Sequence, residues 1–418
     1  MGLRLYDIMK SPSLTAVKKK YQPEDMLADE ERADGILPRV CYGFSKRGEL
    51  VCIEGISKAT PFAPPSPPVA AYATEEGFFY YGEDKSLYRL TSLGFSAIKS
   101  FASAPRCAAV NTETNKRRPL FFDGADWLLF DNAATAREGI PALFACTHYE
   151  RLFVWDGEKL RFSSPADPFG WTQGTQEAGI VYLPSSLGEV VALVSMNERL
   201  YLLRERGATI FRAFGDNRNF KAIEVQFPSE GVVGKTACCV GERLFFFASS
   251  GLYAFDGDSV SLVKGTSFSA EEASFADGRY FASGTLNGEK CIFSYAVKEG
   301  RGTILHLNAK ALSPFGFCEG DRWLKIVEGE GDQPLERVWD SGLTLFSSSS
   351  ARKMLRKLSI EGEGDVSLQI YTERGKRAYS ASLPDLFQTS LRGRRFGVRI
   401  VAHGQAKIQW LEVKFLDY

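Results

Sequence analysis

The chain has 418 residues, of which 44% are hydrophobic and 24% are charged, so disorder over most of its length is excluded. Its 51 basic and 51 acidic residues balance, which gives no reason to expect a dedicated nucleic-acid or membrane-surface binder. The three histidines, His148, His306 and His403, leave little material for a histidine-based metal site or catalytic relay. We therefore predict neither a metal nor another cofactor.

The first 35 residues are predicted to form an N-terminal arm. Residues 17–21 carry three lysines, residues 24–34 are acidic, and no apolar period lasts, so we expect an arm with one short helix. No run approaches the roughly 18 apolar residues that span a bilayer, and charge stands where a secretory signal has its apolar stretch. The prediction is a protein made in the cytoplasm without membrane contact.

Eight cysteines are scattered along the chain without a Cys-x-x-Cys pair. Most lie in apolar runs, as Cys238 and Cys239 do between Ala237 and Val240. This pattern favours reduced core residues over disulfides or metal ligands.

Residues 36–349 have the sequence pattern of short strands. Aromatic and β-branched runs such as 78–81, 127–130 and 243–247 alternate with turn residues, and helical periodicity is nearly absent. The proline-rich piece at 61–68 is expected at an edge or in an external connection, because proline cannot donate to a central ladder.

A weak repeat runs through this region, most clearly in its turns. An aromatic residue precedes Asp-Gly at Asp123, Asp156 and Asp256, and Gly permits the positive φ of a tight hairpin. Repeated units are spaced by about 35 to 45 residues, the length of a four-stranded propeller blade. They begin near Val69, Pro105, Ile140, Gly188, Val233, Glu271 and Lys310.

This repeat predicts an all-β fold with a six- or seven-bladed β-propeller over residues 36–349, a long β-sandwich being the alternative. Seven blades fit if the strand-like residues 40–56 pair with a later element to close the ring, and six fit otherwise.

The sequence pattern changes after the four serines at 347–350. Four runs alternate apolar and polar residues with period two, as in an antiparallel sheet with one wet face. Residues 350–418 are therefore predicted to form a small C-terminal β-sandwich domain. The four runs are residues 358–360, 366–371, 395–401 and 408–415.

Catalytic motifs are missing from the sequence. It contains no GxSxG elbow, HExxH helix, P-loop or GxGxxG turn, so we predict that the protein is not an enzyme. Asp156, Asp256 and Asp258 lie in glycine-containing turns, but they do not continue into the alternating acids of a calcium loop. A turn role is favoured for them.

Two short basic clusters are the candidate functional surfaces. Lys116, Arg117 and Arg118 lie on a predicted loop, and Arg392, Arg394 and Arg395 precede a predicted strand. If such loops lined the opening of a ring, they would hold passing DNA without reading its sequence. The alternative is a role in solubility and subunit salt bridges.

Residues 147–171 carry a resemblance to a known family. Arg151-Leu152-Phe153 leads to a turn with Ser164, Asp167-Pro168 and Trp171, and this stretch resembles the β-propeller virion proteins of tailed bacteriophages, the nozzle or head-to-tail stabilisation family. Residues 198–211 and 391–413 are also similar to that family.

The resemblance implies a non-enzymatic structural component of a phage or prophage virion, made in the bacterial host cytoplasm. It would form a ring of copies of itself, with six copies as the implied number, at the tail or head-to-tail junction. The ring would dock on portal, adaptor or other tail proteins and surround the DNA channel. The Asp167 to Trp171 turn and the two basic clusters would then be assembly or channel surfaces, with transient non-specific DNA contact.

A glycan-binding or glycoside-hydrolysing propeller is the alternative function, because aromatic faces stack on sugars. Most of the tryptophans lie in strand-like stretches, where a core role is favoured: Trp127, Trp155, Trp171, Trp323 and Trp339. A scaffold of the WD or kelch kind is a weaker alternative, since the characteristic pairs of those repeats are missing.

Overall fold

The computed structural model describes most of the chain and divides it into two compact units. Unit 1 comprises Met1–Ser57, Arg301–His306 and Ile326–Tyr418, and unit 2 comprises Lys58–Gly300 and Leu307–Lys325. The described residues are 15–21, 42–44, 50–52, 54–112, 116–124, 126–172, 177–184, 186–329, 331–333, 335, 337–343 and 352–417.

Strands dominate the described residues, with short 3-10 helices at Asn217–Asn219 and Gly234–Thr236. No helix among the described residues has the length and apolar character to cross a membrane. The first strands in chain order are β1 (Thr15–Tyr21), β2 (Tyr42–Phe44), β3 (Leu50–Cys52), β4 (Glu54–Lys58), β5 (Pro68–Thr74), β6 (Gly77–Gly82), β7 (Ser86–Thr91), β8 (Gly94–Ser100), β9 (Arg106–Asn111), β10 (Arg117–Asp123), β11 (Asp126–Asp131) and β12 (Ala133–Glu138). They are followed by β13 (Phe144–His148), β14 (Arg151–Trp155), β15 (Leu160–Phe162), β16 (Gly179–Val181), β17 (Val190–Met196), β18 (Arg199–Arg204), β19 (Gly207–Arg212), β20 (Lys221–Gln226), β21 (Cys238–Val240), β22 (Arg243–Ala248), β23 (Gly251–Phe255) and β24 (Val260–Gly265). The remaining strands are β25 (Ser269–Ala276), β26 (Arg279–Leu286), β27 (Glu289–Ala296), β28 (Arg301–Leu305), β29 (Lys310–Ser313), β30 (Gly316–Glu319), β31 (Arg322–Glu328), β32 (Arg337–Asp340), β33 (Lys353–Thr372), β34 (Lys376–Gly393) and β35 (Phe396–Asp417).

The predicted repeat is confirmed as a series of four-stranded antiparallel sheets. Six sheets each contain four consecutive strands, from β5–β8 to β25–β28, and a seventh has the order β29-β30-β31-β4. Every predicted unit start lies within five residues of the first residue of a sheet's first strand. The aromatic turn-to-turn spacing therefore located the sheets correctly.

Inner strands of the unit 2 sheets are buried on both faces. All five residues of β14 and of β23 are buried, which explains why these strands read as continuous apolar runs rather than alternating ones. One core cluster joins Phe79 of β6 to Phe121 of β10, and another joins Phe153 of β14 to Leu200 of β18. Each sheet thus packs against the next along the chain in these clusters.

The sheet that begins with β29 packs against the sheet that begins with β5. Phe78 of β6 stacks on Phe315 with ring centroids 4.1 Å apart, and it meets Trp323 of β31 edge-on at 4.8 Å. Tyr80 and Cys318 belong to the same core cluster. The last sheet of the series therefore contacts the first.

The Asp-Gly turns form as predicted. Asp156 Oδ1 accepts the backbone N–H of Glu158 at 3.0 Å and that of Lys159 at 2.9 Å, while Gly157 takes a φ of +106°. Asp256 makes the same two bonds in its own turn, to the N–H groups of Asp258 and Ser259. Within the described part of the chain, no group of three His, Cys, Asp or Glu side chains could hold a metal ion. The turn role of these aspartates is confirmed.

Unit 1 is built on three long strands. Its seven-stranded sheet has the order β2-β3-β35-β33-β34, and both β1 and β32 also pair with β35. The predicted division at residue 350 is wrong for this sheet, because strands that precede residue 53 join those that follow residue 336. Its core contains Trp339, Leu358, Val366 and Val413.

Two sequence predictions for unit 1 are corrected. Residues 17–21, expected in an arm with one short helix, lie in β1 and pair in antiparallel register with residues 411–415 of β35. The four short runs expected in a sandwich belong to two continuous strands, β33 of 20 residues and β35 of 22 residues. In both cases the secondary structure depends on a partner strand that is distant in sequence, which the local sequence pattern does not reveal.

A β-bulge explains the interrupted pattern of β35. Ile400 and Ile408 are buried before the bulge, and Leu411 and Val413 are buried after the bulge. The buried positions therefore shift from even to odd residue numbers. The register with β33 skips Gln409 at this place. One extra residue moves the following side chains to the other face, which keeps apolar groups in the core.

Candidate functional site

A cleft of about 660 Å³ lies among the first strands of several unit 2 sheets. Strands β5, β9, β25 and β29 contribute residues from their length or their ends, and β10 contributes its beginning. The lining residues are Ala71, Tyr72, Ala73, Thr74, Glu75, Cys107, Ala109, Arg117, Arg118, Pro119, Ala273, Ser274, Leu312, Ser313 and Pro314.

Small side chains make room for this cleft. Ala71 and Ala73 come from β5, Ala109 from β9, and Ala273 and Ser274 from β25. Alanine and serine leave space between converging backbones that larger residues would fill. The recurrence of small residues in the first strand of successive units is the sequence signal that marks this site.

The basic cluster at β10 meets the cleft, and its charge is partly neutralised. Arg117 and Arg118 line the cleft, but Arg118 is buried, with an ion pair to Glu76 and another to Asp131 at 2.7 Å. The expectation that Arg118 presents charge to a passing polyanion is therefore wrong, because two carboxylates already hold it. Lys116 and Arg117 are exposed.

Tyr72 and Cys107 keep their protons at the cleft. The Tyr72 hydroxyl donates to the Pro105 carbonyl oxygen, and burial raises the pKa of Tyr72 well above its usual value. Burial also raises the pKa of the Cys107 thiol to about 12. A thiol that stays protonated at neutral pH is a poor nucleophile.

Glu272 of β25 lies beside the cleft-lining residue Ala273. Burial raises the pKa of Glu272 to about 6. A hydrogen bond from the backbone N–H of Leu312 and the charge of Lys235 act in the opposite direction and lower this pKa. The cleft lining itself contains a single carboxylate, Glu75, and no histidine. The lining therefore does not supply the paired carboxylates that glycoside hydrolysis uses. The lining brings the exposed cation of Arg117 and the exposed carboxylate of Glu75 to the same cleft.

The Asp167 to Trp171 turn is divided between surface and core. Asp167 is exposed, and its Oδ1 accepts the Phe169 backbone N–H at 3.0 Å. The ring of Trp171 packs edge-on against Trp127 with centroids 6.0 Å apart and joins the surrounding core cluster. Packing against Trp127 removes most of the Trp171 ring from the surface predicted for it.

The second basic cluster belongs to unit 1. Arg392 is the second-last residue of β34, and Arg394 and Arg395 form the turn to β35. All three side chains are exposed. The backbone N–H of Arg395 donates to Glu373 at 2.8 Å, which ties this turn to the end of β33. The two basic clusters thus lie in different units.

Tryptophans and cysteines occupy mainly structural positions. Burial of four tryptophans confirms the predicted core role: Trp127, Trp155, Trp323 and Trp339. Six described cysteines are free thiols, of which Cys291 and Cys318 are buried, Cys239 is exposed and the others are half-buried. The prediction of reduced thiols is confirmed for these six, and the core position holds for only part of them. Cys41 and the side chain of Cys52 lie outside the described part of the chain.

Comparisons with known proteins identify no family. No protein-family model matches the chain, and no curated protein matches it. Among solved structures, the chain is similar to PorZ, an essential bacterial surface component of the type-IX secretion system of Porphyromonas gingivalis, with 13% identity and a TM-score of 0.41. That match covers 78% of this chain and 46% of PorZ, so the chain spans less than half of that protein.

Two further structures are similar at the same level. Apo AztD from Citrobacter koseri matches with 11% identity and a TM-score of 0.36, over 70% of this chain and 90% of that one. A chain from the S. cerevisiae complex of Dbp5 with Nup159, Gle1, IP6 and ADP matches with 8% identity and a TM-score of 0.36, over 88% and 99%. At these scores the likenesses carry no argument about function.

Proposed function

We propose that the seven four-stranded sheets form a closed seven-bladed β-propeller and that the chain is a non-enzymatic structural component of a tailed-phage or prophage virion. In this role, copies of the chain form a ring at the tail or head-to-tail junction around the DNA channel. The ring docks on portal, adaptor or other tail proteins.

The cyclic order of sheet contacts carries the proposal of closure. First strands of several successive sheets touch one another: β9 touches β13, β13 touches β17, β21 touches β25, β25 touches β29, and β29 in turn touches β5. The sheet of β29–β31 takes β4 as its fourth strand. A ring completed by a strand from near the N-terminus is a common way for a propeller to remove its open edges.

A structural role is supported by the resemblance of residues 147–171 to virion propellers and by the chemistry of the cleft. Many of its lining side chains are small, and its Cys107 thiol and Tyr72 phenol stay protonated. The exposed Arg117 lines it, and the exposed Lys116 precedes Arg117 in the sequence. Lone cations of this kind contact phosphates without reading bases, which suits transient contact with moving DNA.

Deletion of the gene from the bacterial strain that carries it tests this function. We expect induced cultures of the deletion strain to contain heads that lack tails or have lost DNA, visible by negative-stain electron microscopy, and few infectious particles. Normal particle morphology and normal titre would contradict the proposal.

Complementation then locates the assembly surface. Reversal of Arg392, Arg394 and Arg395 to glutamate is expected to leave the chain folded, because these side chains are exposed, but to restore few infectious particles. The matched control reverses Lys376 and Arg377, which are exposed at the other end of β34, and is expected to restore infectivity. Equal rescue of infectivity by both variants would show that the arginine turn is not part of the assembly surface.

A further inference from the structure

A second cleft of unit 2, of about 400 Å³, lies where the β13–β14 turn meets the segment that follows β19. Its aromatic wall consists of Tyr149 and Phe214, whose rings meet edge-on with centroids 5.2 Å apart. Phe214 is 74% exposed and Tyr149 is 41% exposed. Two large rings displayed together on a surface mark a binding site more often than a chance feature.

The backbone at Tyr149 supports a functional reason for this residue. Tyr149 takes a φ of +50°, in the left-handed region that bulky residues rarely adopt. In the next sheet, the corresponding turn between β17 and β18 places Asn197 in that region, with a φ of +49°. Asparagine adopts this conformation more readily than tyrosine does, so Tyr149 holds it at a cost in backbone strain.

Polar groups of the cleft point to the class of ligand. His148 is buried, its Nδ1 lies 2.8 Å from Ser195 Oγ, and its Nε2 has no partner among the described residues. A buried ring nitrogen without a partner calls for a bound water or ligand. Burial lowers the pKa of His148 to about 4, so the ring is neutral at neutral pH and can accept or donate one hydrogen bond there.

The charges at the cleft balance when Arg218 is counted, which pairs with Asp216 but does not line the cleft. Arg151 Nη1 donates to the carbonyl oxygens of Ser163 and Glu177, and Asp216 is held by Arg218 at 2.5 Å. Glu150 contributes one exposed carboxylate. Because neither positive nor negative charge is in excess around the cleft, a neutral ligand with one apolar face and several hydroxyl groups suits it better than a cation or a polyanion.

From this geometry we propose that the cleft binds a neutral pyranose sugar. Tyr149 and Phe214 contact the apolar face of the sugar ring, Glu150 accepts hydrogen bonds from its hydroxyl groups, and His148, which lines the cleft, turns its Nε2 toward one of them. This site shares no residue with the cleft of β5, β9, β25 and β29, and it does not depend on the virion role.

A glycan array with the purified full chain tests the proposal, followed by calorimetric titration with the methyl glycoside of the best-bound neutral sugar. We expect saturable binding to a neutral pyranose. Phe214→Ser should weaken it by about tenfold or more, because the stacking surface is lost. Tyr149→Asn should weaken it similarly while the thermal midpoint stays at or above that of the wild type, since asparagine suits the turn.

Tyr182→Asn is the matched control. Tyr182 is 69% exposed in the same unit but does not line this cleft, so its removal should leave binding unchanged. Absence of binding to every neutral glycan, or equal binding by Phe214→Ser and wild type, would overturn the proposal. Preferential binding of lysine-containing peptides or quaternary ammonium probes, through cation–π contact, would also overturn it.

Discussion

The strands of unit 2 and those of unit 1 bury their apolar residues in different ways. In unit 2 the strands are short and the inner strands of a sheet are covered on both faces, so β23 is buried at all five residues, whereas the outer strand β12 is exposed throughout. In unit 1 the strands run for about 20 residues with one covered face, so β33 alternates buried and less buried positions. Unit 2 therefore depends on side chains that pack between sheets, whereas unit 1 depends on backbone geometry that keeps long strands in register.

The largest expected effect tests a buried ion pair of unit 2. Glu76→Gln leaves the Arg118 guanidinium near the cleft with one carboxylate fewer, and we expect the free energy of unfolding to fall by about 3 kcal/mol. Denaturant titration measures this loss, with Glu75→Gln as the control because Glu75 is exposed and has no ion pair to Arg118. Equal stability of the two variants would show that unit 2 does not depend on this pair.

A smaller effect is expected from the backbone of unit 1. A Cβ at Gly362 would lie 2.2 Å from the Lys407 carbonyl oxygen, so Gly362→Ala forces β33 and β35 apart and should cost about 1–3 kcal/mol. Gly375→Ala is the control, since its Cβ meets nothing closer than a Leu391 methyl carbon at 3.9 Å. Hydrogen exchange should accelerate along β33 and β35 in the first variant only. Unchanged exchange there would contradict the dependence on close strand approach.

The smallest effect depends on pH. The pKa of Glu272 is raised from 4.5 to about 6, so the folded state holds this proton more tightly than the unfolded state. Its ionisation therefore destabilises the fold progressively as pH rises from about 4.5 to 6, and the cost is fully present above that range.

Glu272→Gln should remove this cost. We expect the variant to be more stable than wild type by about 1–2 kcal/mol at pH 8 and equally stable at pH 4. Glu271→Gln, at the exposed neighbour, should show no such dependence. A constant difference between Glu272→Gln and wild type across the pH range would contradict the assigned burial effect.

Local pattern predicted much of unit 2 and less of unit 1. The aromatic runs and Asp-Gly turns located the sheets because hairpin turns and buried strands depend on neighbouring residues. The strand character of β1 was missed because its partner β35 lies about 400 residues away, and the continuity of β33 was missed because bulges interrupt its pattern.

The candidate sites show the same limit. The prediction that Lys116, Arg117 and Arg118 present free charge failed at Arg118, whose partner Glu76 is 42 residues distant in sequence. Pairing of this kind depends on tertiary contacts, and charge clusters alone do not reveal it. The aromatic wall of Tyr149 and Phe214 was equally hidden, because 65 residues separate the two rings in sequence.

Mass spectrometry of gradient-purified phage particles tests the proposed virion role most directly. Particles induced from the bacterial strain that carries the gene should contain this chain in several copies per particle, co-sedimenting with infectivity. Recovery of the chain only in the soluble fraction, with none in infectious particles, would contradict a structural role in the virion.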